Sequence, residues 1–138
     1  MKITSLLLLL LLVCVDADAQ WRYQKEIRLS RDSSGVVLFK YDDIQKELRW
    51  RWTLYQNGGL VVHRKFNGFV AQYVMYLRED SNSFRVLIKP KGGRYAPPPY
   101  ILVQFKSFDA VANEAIFGLF VNDKREEIDW FFPNKGVE

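Results

Sequence analysis

Cysteine is nearly missing from this chain. The single one, Cys14, lies in an apolar run near the N-terminus. Beyond it no disulfide can form, and a zinc site built on thiolates is excluded. Histidine is equally scarce, with His63 alone. One histidine without a cysteine partner argues against a transition-metal site. A hydrolytic triad needs a base beside a nucleophile and an orienting group behind it. The chain has no Gly-x-Ser-x-Gly elbow, and Ser33, Ser34, Ser81 and Ser83 fall in turn-like stretches. His63, in the middle of VVHRK, reads as a structural or exposed strand residue. No motif implies a cofactor. Asn-x-Ser/Thr is also absent. Exported eukaryotic domains of this size often carry disulfides, so both gaps favour a bacterial envelope protein.

The N-terminus has the order of a secretory leader. Lys2 supplies a positive charge, and an apolar run extends from Ile3 to Val15, with leucine at every position from 6 to 12. Ala17-Asp18-Ala19 then offers a small-x-small cleavage site. As a helix the run spans about 20 Å, short of a hydrocarbon core of ~30 Å. A lipid-modified Cys14 is a second reading, disfavoured because Val13 stands where a small residue is wanted. Residues 1–19 are therefore expected to be a signal peptide and the mature protein to be periplasmic or secreted, with no transmembrane segment. Cleavage removes Lys2, Asp16 and Asp18 and so raises the formal charge from +4 to +5. The 119 residues left of 138 suffice for one domain with a real core. We place it at 20–133, with a flexible tail at 134–138.

Past Gln20 the dominant period is two. In ELRWRWTLY, Leu48, Trp50, Trp52 and Leu54 fall on one side, and Arg49, Arg51, Thr53 and Tyr55 on the other. Asn57-Gly58 comes next, then LVVHRK. Asn-Gly between two β-rich runs is a strong hairpin signal, because both residues accept positive φ. The same alternation predicts strands at 22–29, 36–41, 47–56, 60–65, 69–77, 83–89, 100–108, 114–121 and 125–132. Helix is confined to one or two turns at 41–47, with Asp42 as N-cap, and a turn at 109–113. The expected fold is all-β: a single-domain antiparallel β-sandwich or partly closed barrel of about nine short strands. Its 4 Trp, 7 Tyr and 10 Phe fill a small core without cross-links. Trp50, Trp52, Trp130 and Phe132 read as core, and Tyr55, Tyr76, Tyr95 and Tyr100 as surface.

Binding candidates are basic and aromatic. Arg49 and Arg51 share one strand face, Arg22 and Arg28 another, and Arg64 and Lys65 point opposite ways. In KPKGGRYAPPPY (89–100), Gly92-Gly93 allow a tight turn, and Pro97-Pro98-Pro99 hold a stiff extended path. A pre-ordered loop loses little entropy on binding. Lys89, Lys91, Arg94, Tyr95 and Tyr100 form its candidate contact edge; the alternative is a connector crossing between sheets. Glu127 and Asp129 sit two apart on a predicted strand, at a spacing open to a glycosidase-like carboxylate pair or to a plain charged face. The tracts RWTLYQNGGLVVH, QYVMYL and PPPYILVQFKSFD resemble those of small uncharacterised periplasmic proteins of Gram-negative bacteria. That resemblance implies an envelope address and one domain, and it transfers no functional residue. The expected function is a non-catalytic binding or envelope-assembly module using the loop and the basic face. Its partner would be an envelope protein, an anionic glycan or a lipid headgroup, and not nucleic acid. Binding of an anionic small molecule or glycan in a barrel mouth and a carboxylate-dependent hydrolase are the alternatives.

Overall fold

A computed structural model describes residues 21–78, 80–88 and 98–136. The expected leader and most of the proline loop, including Lys89, Lys91, Arg94 and Tyr95, lie outside the described residues.

Nine strands run in sequence: β1 (Tyr23–Ser30), β2 (Gly35–Tyr41), β3 (Ile44–Gln56), β4 (Gly59–Phe66), β5 (Phe69–Tyr76), β6 (Ser83–Leu87), β7 (Tyr100–Asp109), β8 (Glu114–Asn122) and β9 (Asp129–Phe131). They form two antiparallel sheets, ordered β1-β8-β7-β6 and β5-β4-β3-β2-β9. The sheets face each other and do not close, so the fold is a β-sandwich and not a barrel. The barrel mouth considered as an alternative binding site therefore has no counterpart among the described residues. The proline loop joins β6 to β7 within one sheet, where Ile88 N donates to Pro99 O at 3.0 Å. It is not a crossing between sheets.

Three two-residue turns build the larger sheet. Asn57-Gly58 (φ 52°, 77°) joins β3 to β4, and Asn67-Gly68 (φ 50°, 78°) joins β4 to β5. Asp42-Asp43 (φ 48°, 60°) joins β2 to β3. Positive φ at both positions is the turn whose twist matches a hairpin. The helical turn expected at 41–47 is therefore a third hairpin. Aspartate tolerates the left-handed region, and the strand pattern on both sides outweighs a capping preference.

The core lies between the inner faces, where Trp50, Trp52 and Phe39 meet Phe105, Phe117 and Ile27. Trp50 stands edge-on to Phe84 and Phe117, at 6.4 and 6.1 Å between centroids. Its indole lies flat against Gly35, where an added Cβ would stand 2.4 Å from Cε2 and Cζ2. Gly35→Ala is expected to cost about 1–3 kcal/mol through overpacking. It should be read as a lower urea midpoint at unchanged slope.

Two bulges break the alternation at the same end of the sandwich. The register of β3 shifts between Trp52 and Leu54, and that of β7 between Phe105 and Ser107. Each extra residue reverses the parity of the rest of its strand. Leu54, expected in the core, is 44% exposed. Tyr55, expected at the surface, turns inward and stacks on Phe108 at 3.9 Å and 18°.

The predicted strand 125–132 is ordered as a strand only at 129–131. Asp123 reshapes the segment before it. This carboxylate is 3% exposed. It accepts from Glu127 N and Ile128 N, both at 3.1 Å, and from Trp130 Nε1 at 3.2 Å. Arg22 Nη1 donates to it at 2.5 Å and also to Ile128 O at 2.9 Å. In the expected tail, Asn134 Oδ1 accepts from Val36 N at 2.8 Å, and Gly136 bridges to Ile27.

Candidate functional site

The outer face of the five-stranded sheet carries a basic cluster. It arises from alternation plus one hairpin. Odd-numbered residues of β3 point outward before the bulge, and the Asn57-Gly58 turn fixes the register of β4. Arg49 thus lies opposite Lys65, and Arg51 opposite His63. Directly opposed outward residues stand about 5 Å apart at Cβ. On the far side Lys65 faces Val70 and His63 faces Gln72. Arg64, between the two outward residues of β4, turns inward and lies over the rings of Tyr73 and Phe84 at 5.4 and 5.7 Å.

Ser34, Arg49, Trp50, Arg51, His63, Arg64, Lys65 and Val70 line a cleft of about 240 Å³. Its charge is only partly balanced. Arg49 Nε donates to Glu47 Oε1 at 2.7 Å. That bond, more than its attraction to Arg49 and Lys65, holds the Glu47 carboxyl below its usual range. A lowered folded value stabilises above the unfolded one, and the contribution fades as pH falls through the folded one. Both partners are largely exposed, so it is small. Among the described residues no carboxylate lies within ion-pairing distance of Arg51 or Lys65. Three fixed cations thus stand against one carboxylate. His63 Nε2 and Thr53 Oγ1 are 3.1 Å apart, and among the described residues no carboxylate bonds His63 to orient it.

Of the residues singled out from the sequence, Arg49 and Arg51 are brought together here. Tyr100 is not. It opens β7 in the other sheet, where the Arg85 guanidinium lies 4.4 Å from its ring centroid and Trp21 packs edge-on at 5.9 Å. Asn122 Nδ2 donates to its hydroxyl at 3.3 Å. The loop-end tyrosine and the basic strand therefore belong to different faces. Arg22 and Arg28 are engaged, Arg22 with Asp123, and Arg28 with Asp109 at 3.0 Å and Glu114 at 3.8 Å. Both Glu127 and Asp129 are exposed, and Glu127 precedes β9 instead of sharing a strand face with Asp129. No family model, curated protein or solved structure matches the chain. The site is therefore read from its own chemistry.

By sequence Lys65 is seen only to point opposite to Arg64, and His63 reads as structural or exposed, so neither is grouped with Arg49 and Arg51, although the signal is present. Once the hairpin register is drawn, both fall beside Arg49 and Arg51. Among the described residues there is no helix long and apolar enough to cross a membrane, and no group of three or more His, Cys, Asp or Glu arranged for a metal.

Proposed function

We propose that this chain is an exported, non-catalytic binding module that captures an anionic partner on the outer face of its five-stranded sheet. Residues 1–19 support the export. The observation that carries the binding is the pairing of Arg49 with Lys65 and of Arg51 with His63 around one cleft, with Glu47 as the local countercharge. Arg51 presents a planar fork suited to carboxylate or phosphate, and Lys65 a point charge. Held on strands, the cluster loses less entropy on binding than a loop would. An envelope partner with an acidic surface fits this face. A small anion in the cleft is the second reading, favoured by the basic side chains of Arg49, Arg51 and Lys65 that line it.

Immobilised polyglutamate tests the proposal. The purified protein should be retained at low salt and released as salt rises, because the screening length falls from ~10 Å at 0.1 M to ~3 Å at 1 M. Arg51→Glu combined with Lys65→Glu should weaken retention roughly thirtyfold, at ~1 kcal/mol for each reversed contact. The melting temperature should stay within about 2 °C, as for surface substitutions generally. Retention unchanged by the reversal would overturn the assignment of this face.

A further inference from the structure

The same sheet ends in an undefended edge. β5 is its outermost strand, so alternate backbone N–H and C=O groups along Phe69–Tyr76 point away from β4. Among the described residues nothing pairs with that side. Natural edges are blunted by shortness, charge, proline or a bulge. The sequence FVAQYVMY has eight residues, no charge and no proline, and its register with β4 runs unbroken from Gly59 to Phe66. The other edges are protected. β9 has three residues, β6 has five with Arg85 among them, and β1 carries Lys25, Glu26 and Arg28 and is bridged by Gly136. Side chains along β5 are also open, with Phe69 76% and Val70 71% exposed.

We infer that the anionic partner is an extended polypeptide segment, alternating apolar and acidic residues, that adds to β5 as a sixth strand. This rests on the basic-face reading and names its partner class and docking mode. The added strand would lie about 5 Å from β5 and about 10 Å from β4. Its outward side chains run alongside Val70, Gln72, Val74 and Tyr76, which are uncharged. Lys65 is paired with Val70, and a lysine side chain is long enough to extend across that short residue to a glutamate on the new strand. His63 stands behind Gln72 in the same way. Inward residues of the new strand continue the row of Ala71, Tyr73 and Met75 and are apolar for that reason. Backbone pairing supplies affinity and the charges supply register, as in other strand-addition complexes. A second copy of this chain fits less well, because its own β5 brings no carboxylate to the row beside Lys65.

The test uses a fluorescein-labelled decapeptide of alternating valine and glutamate, the same peptide N-methylated at alternate residues, and a valine–lysine control. Binding to the purified protein is followed by anisotropy, and β5 by amide hydrogen exchange. The valine–glutamate peptide should bind at least tenfold more tightly than the N-methylated one, slow exchange along 69–76, and weaken about tenfold on Lys65→Glu. The lysine control should not bind. Equal binding of the N-methylated peptide without β5 protection overturns strand addition while leaving the basic face standing. Retention on polyglutamate with no decapeptide binding does the same. Failure of both probes removes the basic-face reading as well. A dimer joined through β5 in sedimentation overturns the choice of partner.

Discussion

Trp52→Ala should lower the stability of the domain by about 3–5 kcal/mol. At ~4 °C per kcal/mol for a domain of this size, the melting temperature falls by roughly 12–20 °C. The side chain is buried, stands edge-on to Phe108 at 5.5 Å, and its Nε1 donates to Leu29 O at 2.7 Å. Leu29 belongs to β1 in the opposite sheet, so this hydrogen bond ties the two layers together directly. Alanine would leave a cavity and also strand a buried carbonyl. Trp52→Phe separates the two losses. It keeps most of the ring contact and forfeits the bond, at about 1–2 kcal/mol. Thermal unfolding followed by circular dichroism reads both variants. A melting temperature within a few degrees of the parent for Trp52→Ala would place that indole outside the core.

Asp123→Ala ranks next, at about 3 kcal/mol, the low end for breaking a buried ion pair because Arg22 keeps some solvent. The carboxylate gathers a guanidinium, two backbone amides and an indole N–H. Without it the two amides and the indole N–H lose their acceptor, each a desolvation penalty, and Arg22 keeps only Ile128 O. The loss should be local. Hydrogen exchange should accelerate at 127–131, where Asp123 positions the entry to the three-residue strand β9, and leave the β3–β4 hairpin as it was. Asp123→Asn keeps the shape, weakens the charge-assisted bond to Arg22 and should fall between. If Asp123→Ala unfolds no more readily than the parent and exchange at 127–131 is unchanged, the cluster has no structural role.

How far the fold is legible in the sequence depends on the range of the forces involved. Strand alternation and Asn-Gly turns are local, and they locate eight strands to within a few residues. The ninth is placed too, but its first half is not strand, because Asp123 binds Glu127 N and Ile128 N. That carboxylate's ion-pair partner, Arg22, is 101 residues away, and no local pattern connects them. The bulges are hidden as well. Nothing in RWTLYQ marks Thr53 as the extra residue, since the choice between Leu54 and Tyr55 is made by Phe108 on the other sheet. Asp42-Asp43 misleads because aspartate serves both a helix N-cap and a left-handed turn. The basic face is half legible. Arg49 and Arg51 are visible from alternation alone. Lys65 and His63 join them only through the hairpin register, and Tyr100 separates from them through sheet order.

His63 is the chain's single histidine, so its imidazole signals need no assignment. It sits beside Arg51 in the cleft, and the measurement that bears most directly on the basic face is a polyglutamate titration followed at those signals by NMR. They should move saturably as polyglutamate is added and return as salt is raised. Polyglutamate that binds while the His63 resonances stay fixed, or that perturbs Tyr100 and Arg85 on the other sheet instead, would contradict the placement of the binding face.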